Sequence, residues 1–399
     1  MLAALIAGGC ALTRPKAVPQ PQSSTAVVPG IPYARIWGDQ MPPPEFMEWL
    51  TEYLRTAEAR SGDRFSNKLH LHYLALSGGG GDGAFGAGFL NGWSAAGTRP
   101  VFRIVTGVST GALIAPFAYL GPNYDDLLRH VYTEVDLTGL LSFNSVWRFL
   151  FSDSLADTTP LAKLIVEHID EKMMHAIAEE YREGRLLLIG TTNLDAQRPV
   201  LWNIGEIAAS GQPHALELIQ KIILASISIP GAFPPVFIEV EANGKRYHEM
   251  HVDGGTASQV FLYPAALDTR KLLAFVGIQR QRTAYVIRNG RIGPEWVETV
   301  PGLSTIAQRS IATMVKSQAA GDLYRIYLGT QRDNIEYNSA FIGDDFIAER
   351  KDEFDPGYMR ALYEYGFNAG KGGYRWQKAP PGFDPPTIEG KPSFERIRR

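Results

Sequence analysis

Three short stretches of this 399-residue chain combine glycine with a group that can attack, take a proton or hold negative charge. The first is Gly107-Val108-Ser109-Thr110-Gly111, a G-x-S-x-G pattern between an apolar strand-like run and a helix-like run. A serine there sits in a turn so sharp that only flanking glycines leave room. The turn pushes its hydroxyl out at the strand end, and the following helix points its positive end at developing charge. Ser109 is therefore the candidate nucleophile, although the same residues also suit a plain Gly-rich turn with a serine cap. The second stretch is Gly78-Gly79-Gly80-Gly81-Asp82-Gly83. Its successive bare amides can point into a cavity, which makes Gly79, Gly80 and Gly81 candidate oxyanion donors, bounded by Gly78 and Gly83. A dinucleotide fingerprint can also be read from Gly78. It needs an acidic residue at the end of the next strand, where this chain has Ser109 instead. The third stretch is His251-Val252-Asp253-Gly254-Gly255. It places Asp253 at a strand end, before Gly254 and Gly255, which let the chain fold back tightly; alone, Asp-Gly-Gly is an ordinary turn.

The identity of the base is left open by the residues themselves. An α/β-hydrolase orders its triad Ser, acid, His, but all eight histidines lie at or before His251, so no late histidine is available. Either Asp253 acts directly on Ser109, or His248 or His251 (His214 is a third choice) serves with an acid from mid-chain. A non-catalytic module that captures lipid or nucleotide is the alternative of a different class. No H-E-x-x-H or paired carboxylate–His spacing occurs, and there is one cysteine, so neither a metal nor a cofactor is expected.

The elements that must position these residues alternate. Strand-like runs fall at 71–77, 102–106, 185–191 and 272–278, and 284–291 reads as a strand turning into a hairpin at Asn289-Gly290. Helical runs fall at 44–60, 84–96, 110–119, 216–225, 305–320 and 358–369. Such alternation predicts a mostly parallel sheet covered by helices on both sides, with the site at the carboxyl ends of the strands. The division expected is a leader and Pro/Gln/Ser linker over 1–32, a helical extension over 33–69, a catalytic core over 70–280, and a C-terminal part, 281–399, packed on the same domain.

Taken in order, the three glycine stretches resemble the motifs of patatin-like phospholipases. The segment Ala225-Ser226-Ile227-Ser228-Ile229-Pro230-Gly231-Ala232-Phe233-Pro234-Pro235-Val236 is similar to the one that precedes that family's catalytic aspartate. The resemblance covers roughly residues 70–280. It implies a three-layer α/β/α fold, a Ser109–Asp253 dyad without histidine, and hydrolysis of fatty-acyl esters without a cofactor. One position departs from the pattern: the family usually has Arg or Lys where this chain has Asp82. An acid there would repel an oxyanion or a phosphate, which weakens the case for phospholipid as preferred substrate, unless Asp82 only caps the next helix.

The formal charge of −3, with no block of five like charges, argues against a nucleic-acid partner. The only cysteine, Cys10, follows a run of apolar and small residues too short to cross a bilayer, which needs ~20 residues. Small residues before a cysteine resemble the lipobox of bacterial lipoproteins, although no basic residue precedes the run. The expectation is lipid attachment at Cys10 in the cell envelope, with 11–32 as a flexible tether; a frayed apolar terminus is the plainer alternative.

Overall fold

A computed structural model of the protein describes residues 14–60, 70–135 and 159–383. Nine strands among them form one sheet: β1 (Arg35–Trp37), β2 (His70–Leu76), β3 (Phe102–Val108), β4 (Leu186–Asn193), β5 (Arg198–Asn203), β6 (Val236–Ala242), β7 (Lys245–Asp253), β8 (Gln281–Arg288) and β9 (Glu336–Phe341). The order is β1-β5-β4-β3-β2-β8-β9. The five strands from β4 to β9 in that order run parallel, and β5 and β1 continue the sheet antiparallel. Strands buried on both faces need near-continuous apolar sequence, and β2 (HLHYLAL) shows why. Its Leu74 and Leu76 enter one core, while Leu71, Tyr73 and Ala75 enter the other.

The first core lies under the helices Gly83–Ala95, Thr110–Leu120, Ala215–Ser226 and Pro356–Lys371; the second lies under Pro44–Arg60 and Leu303–Asp333. The result is a three-layer α/β/α fold. Helix Gly83–Ala95, which leaves the glycine loop, meets Pro356–Lys371 backbone to backbone. A Cβ added at Gly88 would stand 2.0 Å from the Tyr363 carbonyl, so the small residues of that helix are what admit the neighbour. Among the described residues, no helix is long and apolar enough to cross a membrane.

Three expectations need correction. Residues 272–278 are not a buried strand but lie mostly in a surface helix, Thr269–Val276, none of which is buried. Asp268 caps it by accepting from the Lys271 amide, and Gly277 ends it at φ 83°, so cap chemistry outweighs the apolar run. The hairpin at Asn289-Gly290 is absent, because β8 lies between β2 and β9, parallel to both. Finally, residues 14–34 are not a free tether. Ala26, Val28 and Ile31 are buried, Val27 bridges to Glu241, and the Lys16 carbonyl accepts from the His248 amide. Isolated apolar residues with no period still find places on the domain surface, and β1 adds an edge strand to the main sheet. Cys10 lies outside the described residues.

Candidate active site

Ser109 occupies the single residue between β3 and the helix Thr110–Leu120, at φ 55° and ψ −127°. A non-glycine residue there carries strain of order 1–3 kcal/mol, which the surroundings must hold. They do so closely. A Cβ on Gly111 would stand 2.4 Å from the Leu76 carbonyl oxygen, so β2, β3 and the helix start can converge only around glycine. The Ser109 amide donates to Ser226 Oγ at 3.0 Å, and that hydroxyl donates to the Gly190 carbonyl at 2.7 Å. Ser226 thus struts the turn against β4.

Asp253 arrives from β7, which joins the sheet only through its last residues, pairing Thr191 with Asp253 and Asn193 with His251 antiparallel to β4. Because β4 neighbours β3, the pairing delivers the carboxylate beside the serine, and Ser109 Oγ donates to Asp253 Oδ2 at 2.6 Å. The Gly255 amide donates to Oδ1 at 2.6 Å, and Thr192 Oγ1 donates to the Asp253 carbonyl at 3.0 Å. Gly254 backs onto the Gly190 carbonyl, where a side chain would not fit. Burial pushes the Asp253 carboxyl up to about 6, against the hydrogen bonds from Ser109 and Gly255, which lower it. If the ionised carboxylate is the base, kcat/KM should fall about tenfold per pH unit below pH ~6 and level off above it. A pH–rate profile on a non-ionising ester checks this; a profile flat down to pH 4 contradicts it.

The histidines are placed elsewhere. His251 is fully buried, with Nδ1 2.9 Å from Thr191 Oγ1 and Nε2 3.2 Å from Glu249 Oε2, and its ring edge lies against Trp202. Glu249 is in turn paired with Arg35, so both ring nitrogens serve a structural network and neither reaches Ser109. His248 stands in register with Glu239 on the β6–β7 hairpin, and His214 precedes the helix Ala215–Ser226. Among the described residues no histidine hydrogen-bonds Ser109. His251→Ala is therefore expected to lower the thermal midpoint while kcat changes less than threefold, which parallel melting and kinetic measurements would show.

The glycine loop differs in detail from its expected role. The Gly78 amide donates to the Gln259 carbonyl at 3.0 Å, and the Asp82 amide donates to the Gly79 carbonyl at 3.0 Å. The Gly81 amide faces Glu353 Oε1 at 3.4 Å, so it is not an open donor in this conformation. The amides of Gly79 and Gly80 have no hydrogen-bond partner among the described residues. Gly78 packs against Ser109, and Gly83 packs against Thr110.

Asp82 is not a helix cap. Its Oδ1 accepts from Tyr358 Oη at 2.9 Å and from Arg350 Nη1 at 3.3 Å, while Arg350 Nη2 also pairs with Glu353 at 2.7 Å. Burial raises both Asp82 and Glu353, and the Arg350 guanidinium pulls both back down. A positive charge thus reaches the loop after all, from a residue far along the chain. Nothing in the local sequence marks Arg350, Glu353 or Tyr358. Asn193, at the end of β4, accepts from the Ala196 amide at 3.1 Å, and so closes a turn.

A cavity of about 320 Å³ lies near this pair; its walls include Val108 and Gly254, the chain neighbours of Ser109 and Asp253 but not these two residues themselves, together with Phe261, Tyr263, Asp322 and Arg325. A second, apolar hollow lies further along the same sheet face and shares Leu201 and Tyr263 with it. Among the described residues, no group of three His, Cys, Asp or Glu side chains is placed to hold a metal ion.

Residues 74–266 match the patatin-like phospholipase family. That stretch runs from within β2 to beyond Asp253 and contains all three glycine motifs. Among solved structures, VipD from Legionella pneumophila is similar at 12% identity over 75% of this chain and 65% of its own, with a TM-score of 0.32. Human GIVD cytosolic phospholipase A2, in complex with methyl gamma-linolenyl fluorophosphonate, is similar at 11% identity over 85% of this chain and 64% of its own, with a TM-score of 0.33. The chain therefore spans a little under two thirds of either. No curated protein matches the sequence.

Proposed function

Starting from a patatin-like phospholipase domain over residues 74–266, we propose that the protein is a serine hydrolase of fatty-acyl esters, with Ser109 as nucleophile and Asp253 as base. The observation that carries this is the 2.6 Å bond from a strained, buried serine hydroxyl to a buried carboxylate. A lipid-capture module needs neither the strain nor the uncommon proton affinity of the acid.

The chemistry follows from the geometry. Asp253 Oδ2 takes the Ser109 proton as Oγ attacks the acyl carbonyl, and the Gly79 and Gly80 amides receive the oxyanion. One well-aimed donor is typically worth ~3–4 kcal/mol at the transition state. The leaving alkoxide takes the proton back from Asp253. Water then gives a proton to Asp253 and attacks the acyl-enzyme, and Ser109 is reprotonated as the fatty acid leaves. The cavity beside Val108 and Gly254 offers apolar surface for an acyl chain on Val260, Phe261, Leu262 and Tyr263, with charged Asp39, Asp322 and Arg325 elsewhere in its walls. Purified protein assayed on p-nitrophenyl esters of rising chain length and on phospholipids tests the proposal; no turnover of any ester would end it.

Head-group preference follows from Asp82. With Glu353 it sets two carboxylates beside the glycine loop, paired to Arg350 and felt further off by Arg288, so its charge counts against an anionic ester more than against a neutral one. Asp82→Asn keeps an acceptor for Tyr358 and removes one charge. It should raise the ratio of anionic phospholipid to neutral ester turnover severalfold, as measured in mixed micelles; an unchanged ratio would leave Asp82 a packing role only.

Lipid attachment through Cys10, and with it a place in a bacterial envelope, is proposed from sequence alone. Because Arg14 already pairs with Asp195 at 2.5 Å, an acylated Cys10 would hold the domain close to the bilayer rather than on a long tether.

A further inference from the structure

A buried arginine stands behind the glycine loop. Arg288 ends β8, the parallel neighbour of β2, and is only 7% exposed. Its Nη1 donates to the Gly78 carbonyl at 2.6 Å and to Ser77 Oγ at 3.0 Å, and the Ser77 hydroxyl donates to the same carbonyl at 2.7 Å. Its Nε has no hydrogen-bond partner among the described residues. Among the described residues no carboxylate lies within 4.0 Å of it; Asp82, Asp322 and Glu295 act on it only from further off. Arg35, Arg99 and Arg185 are similarly buried and each holds a carboxylate, while the buried Arg282 donates to the Asp333 carbonyl and to Thr269 Oγ1. A buried guanidinium without a counter-ion is costly, so its retention calls for a reason.

We infer that Arg288 is a positioning residue of the oxyanion hole, acting through the Gly78–Gly79 peptide. In a trans peptide the C=O and the N–H point in opposite directions. Fixing the Gly78 carbonyl on Arg288 therefore turns the Gly79 N–H away from the arginine, and that amide is one of the two in the loop with no partner. The cation also draws electron density from the peptide, which makes Gly79 a stronger donor. Asn289 holds the loop on either side, its Nδ2 donating to the Ser77 carbonyl at 2.8 Å and its Oδ1 accepting from the Gly86 amide at 3.1 Å. Arg288 thus supplies from beneath the sheet end the positive charge that position 82 does not carry. The inference rests on Ser109 being the nucleophile.

The test is Arg288→Met assayed beside Ser109→Ala on a soluble p-nitrophenyl ester, with the thermal midpoint of each. Arg288→Met should lose about 10–100-fold in kcat, somewhat less than deletion of a donor itself, with KM changed less than about twofold. Arg288→Lys, which keeps a positive charge behind the loop, should retain most of the kcat, whereas a role in packing alone would not follow the charge. If the methionine variant does not fold, Arg288→Gln, which is polar but carries no charge, bears the same test. A folded methionine variant with wild-type kcat, a loss confined to KM, or a lysine variant that loses as much as the methionine one would overturn the inference. An inactive Ser109→Ala beside a fully active Arg288 variant would sink this inference alone. An active Ser109→Ala would sink the hydrolase mechanism beneath it.

Discussion

Replacing Ser109 with alanine is expected to lower ester turnover roughly 10⁴–10⁶-fold while the protein stays folded, the range set by removal of a serine nucleophile elsewhere. The effect is large because, among the described residues, the hydroxyl is the only group hydrogen-bonded to Asp253 Oδ2, so nothing else stands ready to be activated. Stability should change little. Alanine keeps the strained backbone at φ 55° and loses one side-chain bond, while the Ser226 strut and the first turn of the helix Thr110–Leu120 hold the turn through the backbone. Steady-state kinetics and a melting curve on the same preparation check both halves. Wild-type turnover in a folded Ser109→Ala variant would show that the sharp turn has no chemical role.

Replacing Asp253 with asparagine is expected to cost roughly 10³–10⁵-fold in kcat, since asparagine can orient the serine but cannot take its proton. Stability should move the other way. The Asp253 carboxyl is raised to about 6 in the folded protein from an ordinary value of 3.8. Its contribution to stability is therefore fully present below pH 3.8 and is lost as pH rises through about 6. Asparagine does not titrate, so the variant should gain on the wild type across that window, by roughly 3 kcal/mol at most for a shift of about two units. Denaturation of both proteins at pH 4.5 and pH 8 measures the difference. A variant with the wild-type rate, or one whose relative stability falls as pH rises, would contradict a buried, destabilised base.

Much of this site is local in the sequence and could be read there. Glycines around Ser109 and after Asp253 mark turns that only glycine permits, and the apolar runs of β2, β3 and β4 mark buried parallel strands. What brings the two motifs together is not local: it is three residue pairs between β7 and β4, which no pattern along the chain specifies. The same holds for the groups that complete the glycine loop. Arg288, Arg350 and Glu353 lie more than 200 residues from it and carry no motif, so their relation to Gly78, Gly81 and Asp82 appears only in three dimensions. Gly81 shows the cost of counting bare amides from sequence, because its N–H is turned towards Glu353. Residues 272–278 show a different limit. Their apolar composition suits a strand, but the Asp268 cap and the left-handed Gly277 frame a helix, and the end signals decide the outcome.

The most direct test of the central claim is covalent. A fluorophosphonate reacts with a serine only where a base activates it and donors hold the charge that develops on phosphorus oxygen, so it asks for the whole arrangement at once. Incubated with the purified protein and mapped by peptide mass spectrometry, it should leave a single adduct on Ser109. The adduct should form far more slowly in Asp253→Asn and at close to the normal rate in His251→Ala. An adduct on any other serine, or none in a folded protein that still hydrolyses esters, would contradict the account.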